Sequence, residues 1–264
     1  MEAAFFDLDK TIIAKSSVLA FGRPLYREGL ISRRAIARSM YAQIVYMLVG
    51  ADEAKMEKVR ESMLRLTKGW DQHHVAEIVR ETLEATIQPI IYAEALELIR
   101  EHSAAGRRTV IISSSPFEVV APLGEYLGID DVIATRAQID ADGRYTGQLD
   151  FYAYGEAKAT AIREKAEAEG IDLAASYAYS DSITDLPMLE AVGHPVVVNP
   201  DRDLARAAVT REWEVRRFVR PVRLRDRMPV PTTAPTIAAS SAAAAFGTGA
   251  VLYLLWRRRF ATAR

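Results

Sequence analysis

Two carboxylates two positions apart, Asp7 and Asp9, follow directly on the apolar run Ala3 to Phe6. A short apolar run of this kind has the pattern of a fully buried strand. Side chains two apart on a strand point to one face, so Asp7 and Asp9 share one site where the strand ends. Two like charges that close call for a divalent cation between them, or for a division into nucleophile and general acid. Thr11 extends the pattern to Asp-x-Asp-x-Thr. Without partners, the same residues read as a strand followed by an acidic turn. Further clusters fall at other predicted junctions. Ser113-Ser114-Ser115-Pro116 closes the apolar run Thr109 to Ile112, where a serine can also cap the following helix. Lys158 opens a helix that runs to Glu169, and a helical lysine is ordinarily a surface charge. Asp181 and Asp185 follow the short strand Ser176 to Tyr179, and Asp185 is equally placed to cap a helix before Leu186. Asn199 ends the run His194 to Val198.

The elements that must position these residues alternate. After the first strand, helical spacing covers Pro24 to Val49, broken by Gly29, and then Asp52 to Lys68, stopped by Gly69. Asp71 opens another helix through Ala85. Tyr92 to Ala105 reads as an amphipathic helix ended by Gly106, and Phe117 to Leu127 as one stopped by Gly128. Val132 to Ala134 reads as a short strand. Ala137 to Leu149 reads as a hairpin turning at Asp140 to Gly143, with a spacing that does not continue as a calcium loop. A further helix is expected through Val192. This α/β alternation predicts a parallel sheet, and ligands in such sheets bind at the carboxyl ends of the strands.

In this order the four clusters resemble motifs I to IV of the haloacid dehalogenase superfamily, and specifically its phosphoserine-phosphatase-like branch, over Glu2 to Val209. Asp9-Lys10-Thr11 alone is also similar to the phosphorylated motif of P-type ATPases. That motif continues Gly-Thr, whereas Ile12 and Ile13 follow here, so Asp7 is the better nucleophile. The resemblance implies an α/β fold: a Rossmann-like three-layer core with a parallel sheet, formed by residues 1–13 and 89–210, and a helical cap, residues 14–88, inserted after the first strand. It implies a magnesium-dependent phosphatase acting through an aspartyl-phosphate. Asp7 would be the nucleophile and Asp9 the general acid and base. Thr11, Ser113, Ser114 and Lys158 would bind the phosphoryl group, with Asn199 bordering the pocket. The metal would be held by Asp7, Asp9 through its backbone carbonyl, Asp181 and Asp185. Phosphoserine phosphatases carry an acid shortly after motif I for the substrate's ammonium group. Ala14-Lys15-Ser16-Ser17 has none, so phosphoserine is not implied as the substrate. Two other readings keep the same motifs: a binding module without turnover, and phosphoryl transfer to an acceptor other than water.

The formal net charge of −1 gives no global attraction to nucleic acid. There are no cysteines, hence no disulfide or thiolate site. His73, His74, His102 and His194 lack metal-ligand spacing. No basic region precedes the first apolar residues, so no signal peptide is expected. From Arg211 the chain turns basic, and Pro229, Pro231 and Pro235 mark a stiff linker over residues 211–236. Residues 237–256 carry no charge and precede Arg257-Arg258-Arg259. At about 1.5 Å per residue such a helix spans roughly the ~30 Å hydrocarbon core. A single transmembrane helix is expected there, with the more basic flank keeping the catalytic domain in the cytoplasm. The substrate would be a small-molecule or lipid-linked phosphate.

Overall fold

The computed structural model describes residues 1–32 and 53–219. Its centre is β1 (Ala3–Phe6), buried along its whole length. Such a strand must be covered on both faces, and its alternating side chains enter two separate cores: Ala3 and Phe5 on one side, Ala4 and Phe6 on the other. β1 pairs in parallel with β2 (Arg108–Pro116) and with β5 (Tyr177–Ser180). Outward from β2 lie β3 (Asp131–Ile139) and β4 (Tyr145–Phe151), and outward from β5 lie β6 (His194–Val198) and β7 (Glu214–Arg216). The order is β4-β3-β2-β1-β5-β6-β7, with β3–β4 the antiparallel pair.

Nine described helices accompany this sheet: α1 (Ser17–Ala20), α2 (Gly22–Arg27), α3 (Glu53–Thr67), α4 (Gln72–Ile87), α5 (Ala93–Ala104), α6 (Phe117–Leu127), α7 (Glu156–Glu169), α8 (Leu186–Glu190) and α9 (Arg202–Thr210). Leu83 of α4, Ile99 of α5 and Leu123 of α6 join the core of Phe6. Ile162 of α7, Met188 of α8 and Leu204 of α9 join that of Phe5. The result is a Rossmann-like α/β fold in three layers. The chain winds outward from β1 through β2 to β4, then returns to β5 on the other side of β1. The β1/β5 border is therefore the topological switch point, where open α/β sheets form their ligand crevice.

The segment expected as a cap is helical in its described parts. Asp71 caps α4 as its position suggests, accepting from the His74 N–H at 3.0 Å. α4 then lies against α6, so the last of these helices is part of the main core. Residues 33–52, which include most of the run expected to be helical to Val49, lie outside the described residues, as does the expected span 237–256. Among the described residues no helix is long and apolar enough to cross a membrane.

The sheet continues past residue 210. β7 pairs with β6, and Phe218 is buried, both within the range whose arginines read as linker. Glu214-Val215-Arg216 is a short edge strand with charged side chains at both ends, and such a strand carries no apolar run to announce it. β3 is likewise longer than its apolar part, because it pairs with β2 at one end and with β4 at the other.

Candidate active site

Asp7 stands one residue beyond β1, and its N–H donates to the Tyr179 carbonyl of β5 at 2.9 Å. The Leu8 carbonyl then accepts from the N–H groups of Ile12 and Ile13 at 2.9 and 3.1 Å. This folds the chain into a tight turn, with Lys10 in the left-handed region at φ 63°. Thr11 is carried to the interior by that turn, 1% exposed, and its Oγ1 has no protein partner. A buried hydroxyl without a partner costs free energy unless something supplies one.

Lys158, in the first turn of α7, is 2% exposed. Its Nζ donates to Asp7 Oδ1 at 2.7 Å and to Asp185 Oδ2 at 2.8 Å. Ser180 Oγ also donates to Asp185 Oδ2, at 2.7 Å. A buried ammonium persists only when it is paired. Burial works against the charge on Lys158, but Asp185 and Asp7 outweigh it and hold the ammonium above the ordinary lysine range. Burial pushes Asp7 well above the ordinary carboxylate range; Lys158 pulls it back, and Asp185 and Asp181 add to the rise. Asp181 is pushed up to about 7, first by burial, against the pull of Lys10 and with the repulsion of Asp185 and Asp201. Lys10 Nζ stands 3.8 Å from Asp181 Oδ2.

Asp9, on the same turn, faces a different set of groups. Its Oδ1 accepts from the Ser17 N–H at 2.8 Å, and its Oδ2 lies 3.4 Å from Ser115 Oγ. Burial raises its pKa above the usual carboxylate value, against the pull of these hydrogen bonds. Asp7 and Asp9 thus have unlike surroundings, an ammonium for one and neutral donors for the other, as two roles would require.

The remaining predicted residues divide. Ser113 is buried at the end of the apolar part of β2, and its Oγ accepts from the Ser115 N–H at 3.2 Å. Ser114 is exposed, and its carbonyl accepts from Thr135 Oγ1 at 2.8 Å. Asn199, at φ 43°, holds the C-terminal segment. Its amide donates to the Phe218 carbonyl at 3.0 Å and accepts from the Phe218 N–H at 3.1 Å. These bonds give Asn199 a structural role at the end of β6. Sequence reasoning missed Ser17, Ser180 and Asp201 as supporting residues. Asp201 Oδ2 accepts from Ile183 N–H at 2.8 Å, while Oδ1 accepts from Asp203 and Leu204 at 3.0 and 2.8 Å. It therefore caps α9 and pins the loop after β5 at once. An Asp ahead of a helical run is the available signal for the first of these.

The metal set expected from the motifs is Asp7, Asp181 and Asp185 with the backbone carbonyl of Asp9; among the described residues no group of three acidic or histidine side chains forms a ready cation cage. Lys158 engages one oxygen of Asp7 and one of Asp185, the latter shared with Ser180, while the Asp9 side chain is engaged by Ser17 and Ser115. Asp7 and Asp181 are close enough to feel each other's charge, with the backbone carbonyl of Asp9 nearby in sequence. An all-oxygen set with few carboxylates suits magnesium, which binds through one or two of them and keeps several waters.

Known proteins resemble this chain in sequence and fold. The family described as haloacid dehalogenase-like hydrolase matches residues 4–190. A Mycobacterium tuberculosis protein described as a probable phosphatase is 52% identical over 258 residues, covering 97% of this chain and 89% of that one. A phosphoserine phosphatase from the same organism is 34% identical over 245 residues, covering 92% and 79%. A crystal structure of a Bordetella pertussis protein of unknown function superimposes with a TM-score of 0.71 at 30% identity, covering 81% of this chain and 97% of that one.

Proposed function

The chain belongs to the haloacid dehalogenase-like hydrolase family, and from that premise we propose that it is a magnesium-dependent phosphatase that hydrolyses a phosphomonoester through an aspartyl-phosphate on Asp7. The observation that carries this reading is the Lys158 ammonium held between Asp7 and Asp185, with the unpartnered Thr11 hydroxyl buried in the turn after Asp7. Lys158 keeps a cation where negative charge develops, and Thr11 has a hydrogen bond to offer an oxygen of the phosphoryl group.

As a phosphoric monoester hydrolase the chain must break one P–O bond and return its nucleophile. A carboxylate oxygen of Asp7 attacks phosphorus as the ester P–O bond breaks, and Asp9 gives its proton to the leaving alkoxide. Asp9 then takes a proton from water, whose oxygen attacks the aspartyl-phosphate. The new P–O bond forms, the bond to Asp7 breaks, and inorganic phosphate leaves. Asp7, Asp181 and the Asp9 carbonyl would hold magnesium, which when bound offsets the charge of the phosphoryl oxygens.

The stretch Ala14 to Ser17 offers no carboxylate to a substrate ammonium, which supports a substrate other than phosphoserine. The uncharged run 237–256 supports a membrane tail, and the more basic flank before it a catalytic domain on the cytoplasmic side; a membrane-proximal or lipid-linked phosphate follows as the substrate class. On fractionation the full chain is expected with the membrane, and a chain cut after Val219 in the soluble fraction; equal partitioning of the two removes the anchor.

The test of the activity is phosphate release from an aryl phosphate by the full chain, with magnesium and with chelator, beside Asp7→Asn. Magnesium-dependent release that falls at least roughly a thousandfold in the variant is expected. Absence of release together with failure of Asp7 to take up beryllium fluoride overturns the reading.

A further inference from the structure

The general acid has supports of its own. Ser17 and Ser115 come from different parts of the chain, the start of α1 and the end of β2, and meet over Asp9 with their hydroxyls 2.7 Å apart. Both are buried, Ser17 to 0% exposure and Ser115 to 3%. We infer that Ser17 and Ser115 are positioning residues for Asp9, which hold its carboxyl group so that Oδ2 is the oxygen that hands a proton to the leaving group. The inference rests on the phosphatase reading above.

The two oxygens of Asp9 are not equivalent. Oδ1 accepts a backbone N–H at 2.8 Å, from a donor that cannot turn away. An oxygen so engaged is best left as the carbonyl oxygen of the acid, which assigns the proton to Oδ2. Oδ2 has the longer contact to Ser115 Oγ, 3.4 Å, and the Ser17 and Ser16 hydroxyls also reach the Asp9 carboxyl group; rotating hydroxyls can yield, so a proton on Oδ2 can turn toward a substrate oxygen. The hydroxyl pair can serve both states of Asp9. With the carboxylate, Ser17 donates to Ser115 and Ser115 donates to Oδ2. With the acid, Ser115 accepts from Oδ2 until the leaving oxygen takes the proton. Ser115 touches the carboxyl group of Asp9, but neither hydroxyl itself transfers the proton. Their effect passes through the orientation of Asp9, where small misplacements cost much rate. The alternative is that two buried serines merely satisfy each other.

Leaving groups separate these. An alkoxide needs the proton as its bond to phosphorus breaks, whereas dinitrophenolate leaves without one. The quantity to measure is kcat/KM of the full chain for glycerol phosphate and for dinitrophenyl phosphate. It reports the first phosphoryl transfer and not the later attack of water, and its ratio between the two esters is independent of how much protein is folded. Ser17→Ala, which keeps the backbone N–H, and Ser115→Ala are each expected to lower the alkyl-to-aryl ratio by roughly tenfold or more. Ser115→Thr should restore most of it, and the double variant should lower it by less than the product of the two single effects, because both hydroxyls act on one carboxyl group. A ratio equal to that of the unaltered chain in both alanine variants overturns the positioning role while the phosphatase stands. An unaltered chain that hydrolyses neither ester and binds no beryllium fluoride sinks the phosphatase reading itself, and this inference with it.

Discussion

At the scale of single residues, the buried ammonium of Lys158 holds together two carboxylates that would otherwise repel each other. Lys158→Met removes the cation and leaves Asp7 and Asp185 buried side by side. Breaking a buried pair in this way costs about 3–5 kcal/mol, and urea unfolding at neutral pH should show it. The loss should shrink as the pH falls and the orphaned carboxylates protonate; a loss independent of pH would mean that Lys158 contributes packing alone. Asp181 presents the opposite case. Its folded pKa, about 7, lies above the ordinary carboxylate value, so between about 4 and 7 the folded state binds more protons than the unfolded one. Stability from this group is present below that window and lost as the pH rises through it. Asp181→Asn should therefore abolish turnover yet raise the melting temperature at about pH 8 in chelator. A lower melting temperature there would show that its charge is not a strain on the fold. Sites that serve catalysis commonly carry such a cost to stability.

At the scale of elements, the approach of α5 to the sheet depends on a neutral histidine. His102 is buried, bonds through Nε2 to the Tyr179 hydroxyl at 2.8 Å, and meets Phe6 edge-on at 5.9 Å. Burial, then Arg107 and Arg216, lower its pKa to about 4. An unfolded histidine titrates near 6.5, so the unfolded state binds the extra proton between about 4 and 6.5. This contribution is complete above that window and is lost as the pH falls through it. His102→Gln should flatten the decline in urea midpoint between about pH 6.5 and 4.5; an unchanged slope would assign that decline elsewhere. The turn into β6 is governed by space. A Cβ on Gly193 would stand 1.8 Å from the Ala174 carbonyl oxygen, a backbone atom, while the Gly193 N–H already donates to Leu173 at 2.9 Å. Gly193→Ala must move one chain segment, and overpacking of this kind costs about 1–3 kcal/mol or more. A thermal melt unchanged by the substitution would contradict that crowding.

At the scale of the whole molecule, the seventh strand binds the end of the described chain to its middle. Phe218 is buried, lies edge-on to Tyr92 at 5.7 Å, and is held at its backbone by the Asn199 amide. A chain cut after Arg211 loses β7, Phe218 and the partners of Asn199 together, whereas one cut after Val219 keeps them. Removing a buried phenylalanine side chain alone costs about 3–5 kcal/mol. At about 2–4 °C per kcal/mol for a domain of this size, the shorter chain should melt about 10 °C or more below the longer one. Equal melting temperatures would return this stretch to the linker that its arginines suggest. Because Asn199 follows β6 and Asp201 pins the loop of Asp181, the shorter chain should also lose activity.

Much of this protein follows from local order. The apolar run of β1 leads straight into Asp7, and Asp9 follows two residues on, in the turn after the strand. Asp71 and Gly128 mark helix ends for reasons confined to a few bonds: a side-chain acceptor for free N–H groups, and a left-handed residue at φ 68°. The alternation of strands and helices calls for a mostly parallel sheet, and the order of the motifs along the chain places their residues at strand ends and helix starts. Other features depend on which distant segments meet. Lys158 looks like any helical lysine until α7 packs on the sheet and its ammonium meets Asp7 and Asp185. That the Asn199 amide holds Phe218, and that Ser17 meets Ser115 over Asp9, appear only once these distant segments are brought together. β7 has no apolar run of its own and becomes a strand because β6 offers it an unpaired edge. Sequence spacing states what a segment can do by itself; burial, charge and hydrogen bonds at the site depend on partners far along the chain, and those are set when the sheet closes.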